Sequence, residues 1–206
     1  MSDDTTAMPP APGGTSWPRF ALILLPALAA AALLVALTGR GSIAASFAVS
    51  GHRFKVSADE LRGQGFAQYG DVAVTAGGVR RPVAISVIDA ATLVNLCQSV
   101  LMDTPAGQVT FLIRAGRGER PVRAEHLVID LRQLSGDAEF TGIQIGRDAG
   151  TLENATGATG GRGAFGQQAA TVRVRHLRQT AYAVNAGTFT LAGLDLSVRR
   201  GDHECF

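Results

Sequence analysis

Two patterns of apolar and polar residues divide the chain. Between Arg19 and Arg40 the nineteen residues from Phe20 to Thr38 carry no charge. A helix rises about 1.5 Å per residue and a bilayer core is ~30 Å thick, so this run predicts one membrane-spanning helix or a long signal-peptide core. From about Ala45 onward the pattern changes to alternation, with Phe47 and Val49 against Ala48 and Ser50, then Phe54 and Val56 against Lys55 and Ser57. Period two predicts strands.

Similar runs follow at Asp71 to Thr75, Val83 to Ile88, Thr92 to Met102, Gln108 to Ala115, Val122 to Leu131, Ala138 to Ile145, Thr171 to Thr180 and Thr188 to Val198. Turn signals such as Gly77-Gly78, Pro105-Ala106-Gly107 and Gly116-Arg117-Gly118 separate them. The expected fold is therefore mainly β, a single antiparallel curved sheet or sandwich-like domain, preceded by the N-terminal helix. One run is ambiguous, because Leu93, Leu96, Val100 and Leu101 also fit a helix face. An echo recurs at Val56 to Leu61, Val122 to Leu127 and Val172 to Leu177: Val, any residue, Ala or Val, two polar residues, Leu. Each copy precedes a phenylalanine, Phe66, Phe140 or Phe189, which suggests a strand-and-return unit with an apolar inner face. Gly146 to Gln168 is Gly-rich and reads as a long loop, with Phe165 placed to cover an apolar opening.

The organisation that follows is a disordered tail over 1–18, a transmembrane or signal-anchor helix over 19–40 and an exported domain over 45–206. Pro9, Pro10, Pro12, Gly13 and Gly14 leave the tail too poor in apolar residues to fold. Ser42-Ile43-Ala44 offers a signal-peptidase site, so the domain is expected to be either anchored in the cell membrane or secreted after cleavage near Ala44. About 165 residues follow the apolar run, enough for one domain with its own core.

Composition narrows the chemistry. Formal charge is +2, and Asp3, Asp4, Arg19 and Arg40 cancel, so no nucleic-acid partner is indicated. The two cysteines, Cys97 and Cys205, allow one intramolecular pair, and outside the cytosol a lone pair is most simply a structural disulfide. No cofactor or metal motif is present, and no serine sits in a G-x-S-x-G frame. His126 or His176 with Asp130 or Asp137 could complete a triad only in space, and solvated strand positions are the plainer account. Phe66, Phe140, Phe165 and Phe189 are the candidates for an apolar ligand face. Arg173, Arg175 and Arg178 are the candidates for contacts with anionic headgroups.

At Phe47 to Gly70, Asn95 to Ser99, Ala186 to Leu194 and Glu204-Cys205-Phe206 the chain resembles a family of actinobacterial exported proteins of unknown function, often labelled "cholesterol esterase". The resemblance spans roughly Trp17 to Phe206. It implies export, one β domain and a Cys97 to Cys205 bridge, and members tend to be encoded beside a small multi-span membrane protein. It carries over no catalytic residues. The expected function is a non-catalytic cell-envelope protein that binds a lipid, another apolar ligand or a membrane partner. The alternatives are a serine esterase, as the label implies, and a structural partner of the neighbouring membrane protein.

Overall fold

The computed structural model describes residues 52–206 and, nearer the N-terminus, the helical positions Trp17, Pro18, Phe20, Leu22, Leu24, Pro26 and Leu28. Among the described residues no helix is long and apolar enough to cross a membrane. The tail over 1–18, the helix over 19–40 and the cleavage site near Ala44 lie almost wholly outside the described residues.

Alternation becomes a nine-stranded antiparallel sheet: β1 (Phe54–Val74), β2 (Arg80–Val94), β3 (Leu96–Thr104), β4 (Gly107–Ala115), β5 (Val122–Thr141), β6 (Gln144–Asp148), β7 (Phe165–Asn185), β8 (Thr188–Thr190) and β9 (Asp195–Arg200). β1 pairs with β2, β2 with β5, β5 with β7, and β7 returns to β1. These four strands thus close a ring, and the main core lies among them. The mainly β, antiparallel reading holds, as one coiled sheet that meets itself.

Strands this long bend, and the buried residues record where. In β1 the inward positions are Val56, Ala58, Leu61, Gly63 and Phe66, in steps of two, three, two and three. In β7 they run Ala169, Val172, Val174 and Leu177. Each step of three shifts the alternation by one residue, so the same face stays inward after a corner. The corners align in two rows across the strands. One passes through Asn95, Asp59 and His176, and the other through His126, Asp89, Gly65 and Ala170, as the flanking registers require. Asn95, His176, His126 and Gly65 have φ of 53°, 52°, 51° and 64°. Asn, His and Gly are the residues that adopt the left-handed region at least cost. Each precedes a buried large side chain: Leu96, Leu177, Leu127 and Phe66.

The sequence echo is therefore a corner signature, two inward residues two apart and a third three further on. It does not mark a strand and its return. Phe66 lies on β1 and Phe140 on β5, while β8 extends β7 along β5 in one register, Asn185 to Val128 and Thr188 to Glu125. The helix-like spacing of Leu93 and Leu96 has the same cause, since β2 and β3 both pair with β1 around the Asn95 corner.

A second, smaller core contains Ala67, Val83, Ile85, Val87 and Tyr182. The Gly-rich segment closes it through Ala155 and Ala158, both buried. β6 and β7 take up the ends of that segment, leaving 152–164 irregular after a short 3-10 turn. It is tied down: Asp148 accepts from the N–H of Gly150 at 2.8 Å and Gly163 at 2.7 Å, which lowers its carboxyl pKa. Buried Gln168 accepts from Glu153 N at 2.8 Å, and Asp89 from Thr156 N at 2.7 Å.

Candidate functional site

Beyond the Asn95 corner, β3 leaves the ring and carries β4 and β9 with it, and β9 ends the sheet. The two faces of this wing differ in chemistry. On one, Ser99, Thr110 and Leu112 are buried beneath the C-terminal tail. The disulfide between Cys97 and Cys205 spans 5.9 Å between Cα atoms. Ser99 Oγ accepts from Cys205 N at 3.0 Å, and Thr110 Oγ1 donates to Gly201 O at 2.7 Å while accepting from His203 N at 3.0 Å. Lys55 Nζ reaches Phe206 O at 2.7 Å and Glu204 at 2.6 Å, and the Arg178 guanidinium lies over the Phe206 ring. The tail is thus clasped at Gly201 and at each residue from His203 to Phe206.

The other face is apolar and open. Register places Val100, Phe111 and Val198 side by side, with Ile113 beside Leu196 on one flank and Met102 beside Val109 on the other. Leu196 is 59% exposed, Val198 54% and Phe111 39%. Single exposed apolar residues are ordinary, but a contiguous apolar patch on an edge strand marks a place where something binds.

Residues 50–206, which take in the ring, the wing and the clasped tail, match a family of unknown function, DUF6230. The chain belongs to that family. No curated protein and no solved structure matches it.

In this DUF6230 chain three of the four candidate phenylalanines turn toward the main core: Phe66 belongs to it, Phe140 packs against it and Phe189 stands opposite inward-facing Ala124. Phe66 packs on Phe140 in the main core with ring centroids 5.4 Å apart. Phe189 borders a gap of about 20 Å³ lined by Val56, Leu61, Leu127 and Ile129, room for about one water. Phe165 begins β7 with its ring exposed. The three candidate arginines are engaged or opposed within the fold. Arg173 bonds Glu60, which also accepts from Arg62 Nε at 2.7 Å, and these two hydrogen bonds hold the Glu60 carboxyl at about 2. Arg175 stands opposite Glu60 on one side and Asp137 on the other.

His126 and His176 occupy their positions for a backbone reason, as corner residues. His176 Nδ1 lies 2.9 Å from Asp137 Oδ2, with both side chains largely exposed. Among the described residues no serine hydroxyl hydrogen-bonds either histidine. The open wing face was missed from sequence because β4 reads Val109, Thr110, Phe111, Leu112, Ile113, which is apolar at both parities. Alternation there does not tell which side is covered.

Proposed function

We propose that this protein is a non-catalytic component of the cell envelope that binds a lipid or other apolar molecule along the outer face of β3, β4 and β9. The apolar run Phe20 to Thr38 serves as its membrane tether or export signal. The observation that carries the reading is the in-register patch at the end of the sheet in which Phe111, Leu196 and Val198 are exposed and Val100 and Ile113 are half-buried. Water meets this surface at a cost of about 25 cal/mol per Å² of apolar area, which an acyl chain or ring system laid across it removes.

Native mass spectrometry of the full chain purified from its own host tests this directly. A bound lipid-class mass is expected, and Phe111→Ser with Leu196→Ser should lose it. Protein that is empty across repeated preparations counts against the reading. A second reading, docking of a membrane-protein partner, is favoured by the outer edge of β9, which is unpaired among the described residues and can add a strand. It predicts a co-purifying polypeptide lost on substitution within β9.

A further inference from the structure

Closing the ring gathers basic residues that are far apart in sequence. The row Phe54, Ala181, Leu131, Ala84 lays the start of β1 beside β7, β5 and the start of β2. Arg53, Arg80, Arg81 and Arg132 meet there, around two adjoining clefts of about 470 and 540 Å³ that share Arg53, Arg81 and Arg132. We propose that these arginines form a binding site for the phosphate group of a phosphate ester.

Three observations support the assignment. First, none of the four arginines makes an ion pair among the described residues. The carboxylates lining the clefts are Asp103 and Glu204. Glu204 is held by Lys55, and Asp103 accepts from Gln108 Nε2 at 3.2 Å. Five cations, counting Lys55, face two carboxylates, leaving a formal excess of three positive charges. Second, Arg81 Nε is buried with no hydrogen-bond partner. A buried guanidinium N–H without an acceptor is costly, and an anion admitted beside it would supply one. Third, Arg81 is fixed in place: its guanidinium stacks over the Tyr182 ring at 5.1 Å, Nη1 lies 3.4 Å from the Tyr182 hydroxyl, and Tyr182 is only 8% exposed. A planar fork held rigid by an aromatic face suits bidentate recognition. A carboxylate offers two acceptor oxygens and a terminal phosphate three, so several converging guanidinium groups favour the phosphate. The contrast with Arg173 and Arg178 is instructive, because those basic groups already have partners inside the fold.

The phosphate could be presented by a lipid headgroup or by a soluble ester, and the inference does not depend on the apolar wing face. The test is calorimetric titration of the full chain in neutral detergent, once with glycerol 3-phosphate and once with the same micelles doped with phosphatidylglycerol. Binding is expected in at least one arm, weakened tenfold or more by Arg53→Gln with Arg132→Gln and unchanged by Arg117→Gln, which lies outside the clefts. Both of the substituted cleft residues are exposed, so the fold should survive, and circular dichroism checks it. Tighter binding of doped micelles identifies a lipid source, and tighter binding of glycerol phosphate a soluble one. No binding in either arm overturns the site, as does equal weakening by Arg117→Gln, which would reduce the effect to net charge.

Discussion

The ring and the wing bury their residues by different means. In the ring, four long strands turn corners so that Val, Leu and Phe keep facing one interior, and neighbouring strands seal both edges. In the wing, three short strands have one edge free among the described residues, and the covered face holds Ser99 and Thr110 as well as Leu112. There the cover is a tail fastened by a disulfide and by hydroxyl-to-backbone hydrogen bonds, and the opposite face is left apolar. A closed sheet leaves little of its apolar surface for binding, whereas a flap stapled on one side has such surface to offer on the other.

The strongest way to break this comparison is to cut the staple. Cys97 and Cys205 are 108 residues apart, so in the chain-entropy model Cys97→Ser with Cys205→Ser removes about 4 to 5 kcal/mol. Urea unfolding of the full chain in neutral detergent measures it, and hydrogen exchange locates it. Amides of β4 and β9 should lose protection before those of β1 and β7. Simultaneous loss in both regions would mean that the wing has no separate stability.

Next in size are changes inside the ring. Leu177→Ala empties a site that is 1% exposed and should cost about 3 kcal/mol. Gly63 tests the closeness of the strands, since a Cβ there would sit 2.7 Å from Ile88 Cγ2 and 2.9 Å from Val172 Cγ1. Gly63→Ala should destabilise by about 1 to 3 kcal/mol through overpacking. Phe111→Ala on the open wing face should change urea stability by only about 0.5 kcal/mol. If Phe111→Ala cost as much as Leu177→Ala, the wing face would be core.

A smaller effect sharpens the account of the clasp. Thr110→Val keeps the side-chain volume but leaves His203 N and Gly201 O without their partner, at about 1 to 2 kcal/mol. The same change should speed exchange of the tail amides and leave those of β5 unaffected.

Much of the ring was legible in the sequence, and the reasons it was incomplete are physical. Alternation announced strands because each has one face in the core, and two cysteines left one bridge to form. The echo at Val56, Val122 and Val172 was visible, but its meaning was hidden, since His126, His176 and Asn95 look like ordinary polar strand positions until their backbone is seen. A spacing of three apolar residues reads as helix when it is in fact a bend. The basic cleft had no local signature at all. Arg81 and Arg132 meet through the pairing of β2 with β5, and Arg53 joins them only by ring closure, which depends on pairing β7 with β1, the most distant of the ring's contacts along the chain.

Acid should separate the surface charges of the ring from its core. Glu60 is held at about 2, against an ordinary 4.5, because Arg62 and Arg173 both hydrogen-bond its ionised form. A carboxyl depressed in the folded state contributes stability that is fully present above its unfolded value and disappears as pH falls toward its folded one. The contribution of Glu60 should therefore be constant from neutral pH to about 4.5 and decline between about 4.5 and 2. Glu60→Gln should remove it, so the urea midpoints of wild type and variant should differ at pH 6 and converge at pH 2 to 3. The difference should be small, because Arg62 and Arg173 are substantially exposed and water screens such pairs. Asp148, lowered by the N–H groups of Gly163 and Gly150, adds acid loss of the same sign at the Gly-rich segment, which Asp148→Asn isolates. Midpoints that stayed parallel over the whole range would show that Glu60 gains nothing from its arginines on folding. The corner at Asp59 and Glu60 would then be held by the αL geometry of Asn95 and His176 and the leucines behind them.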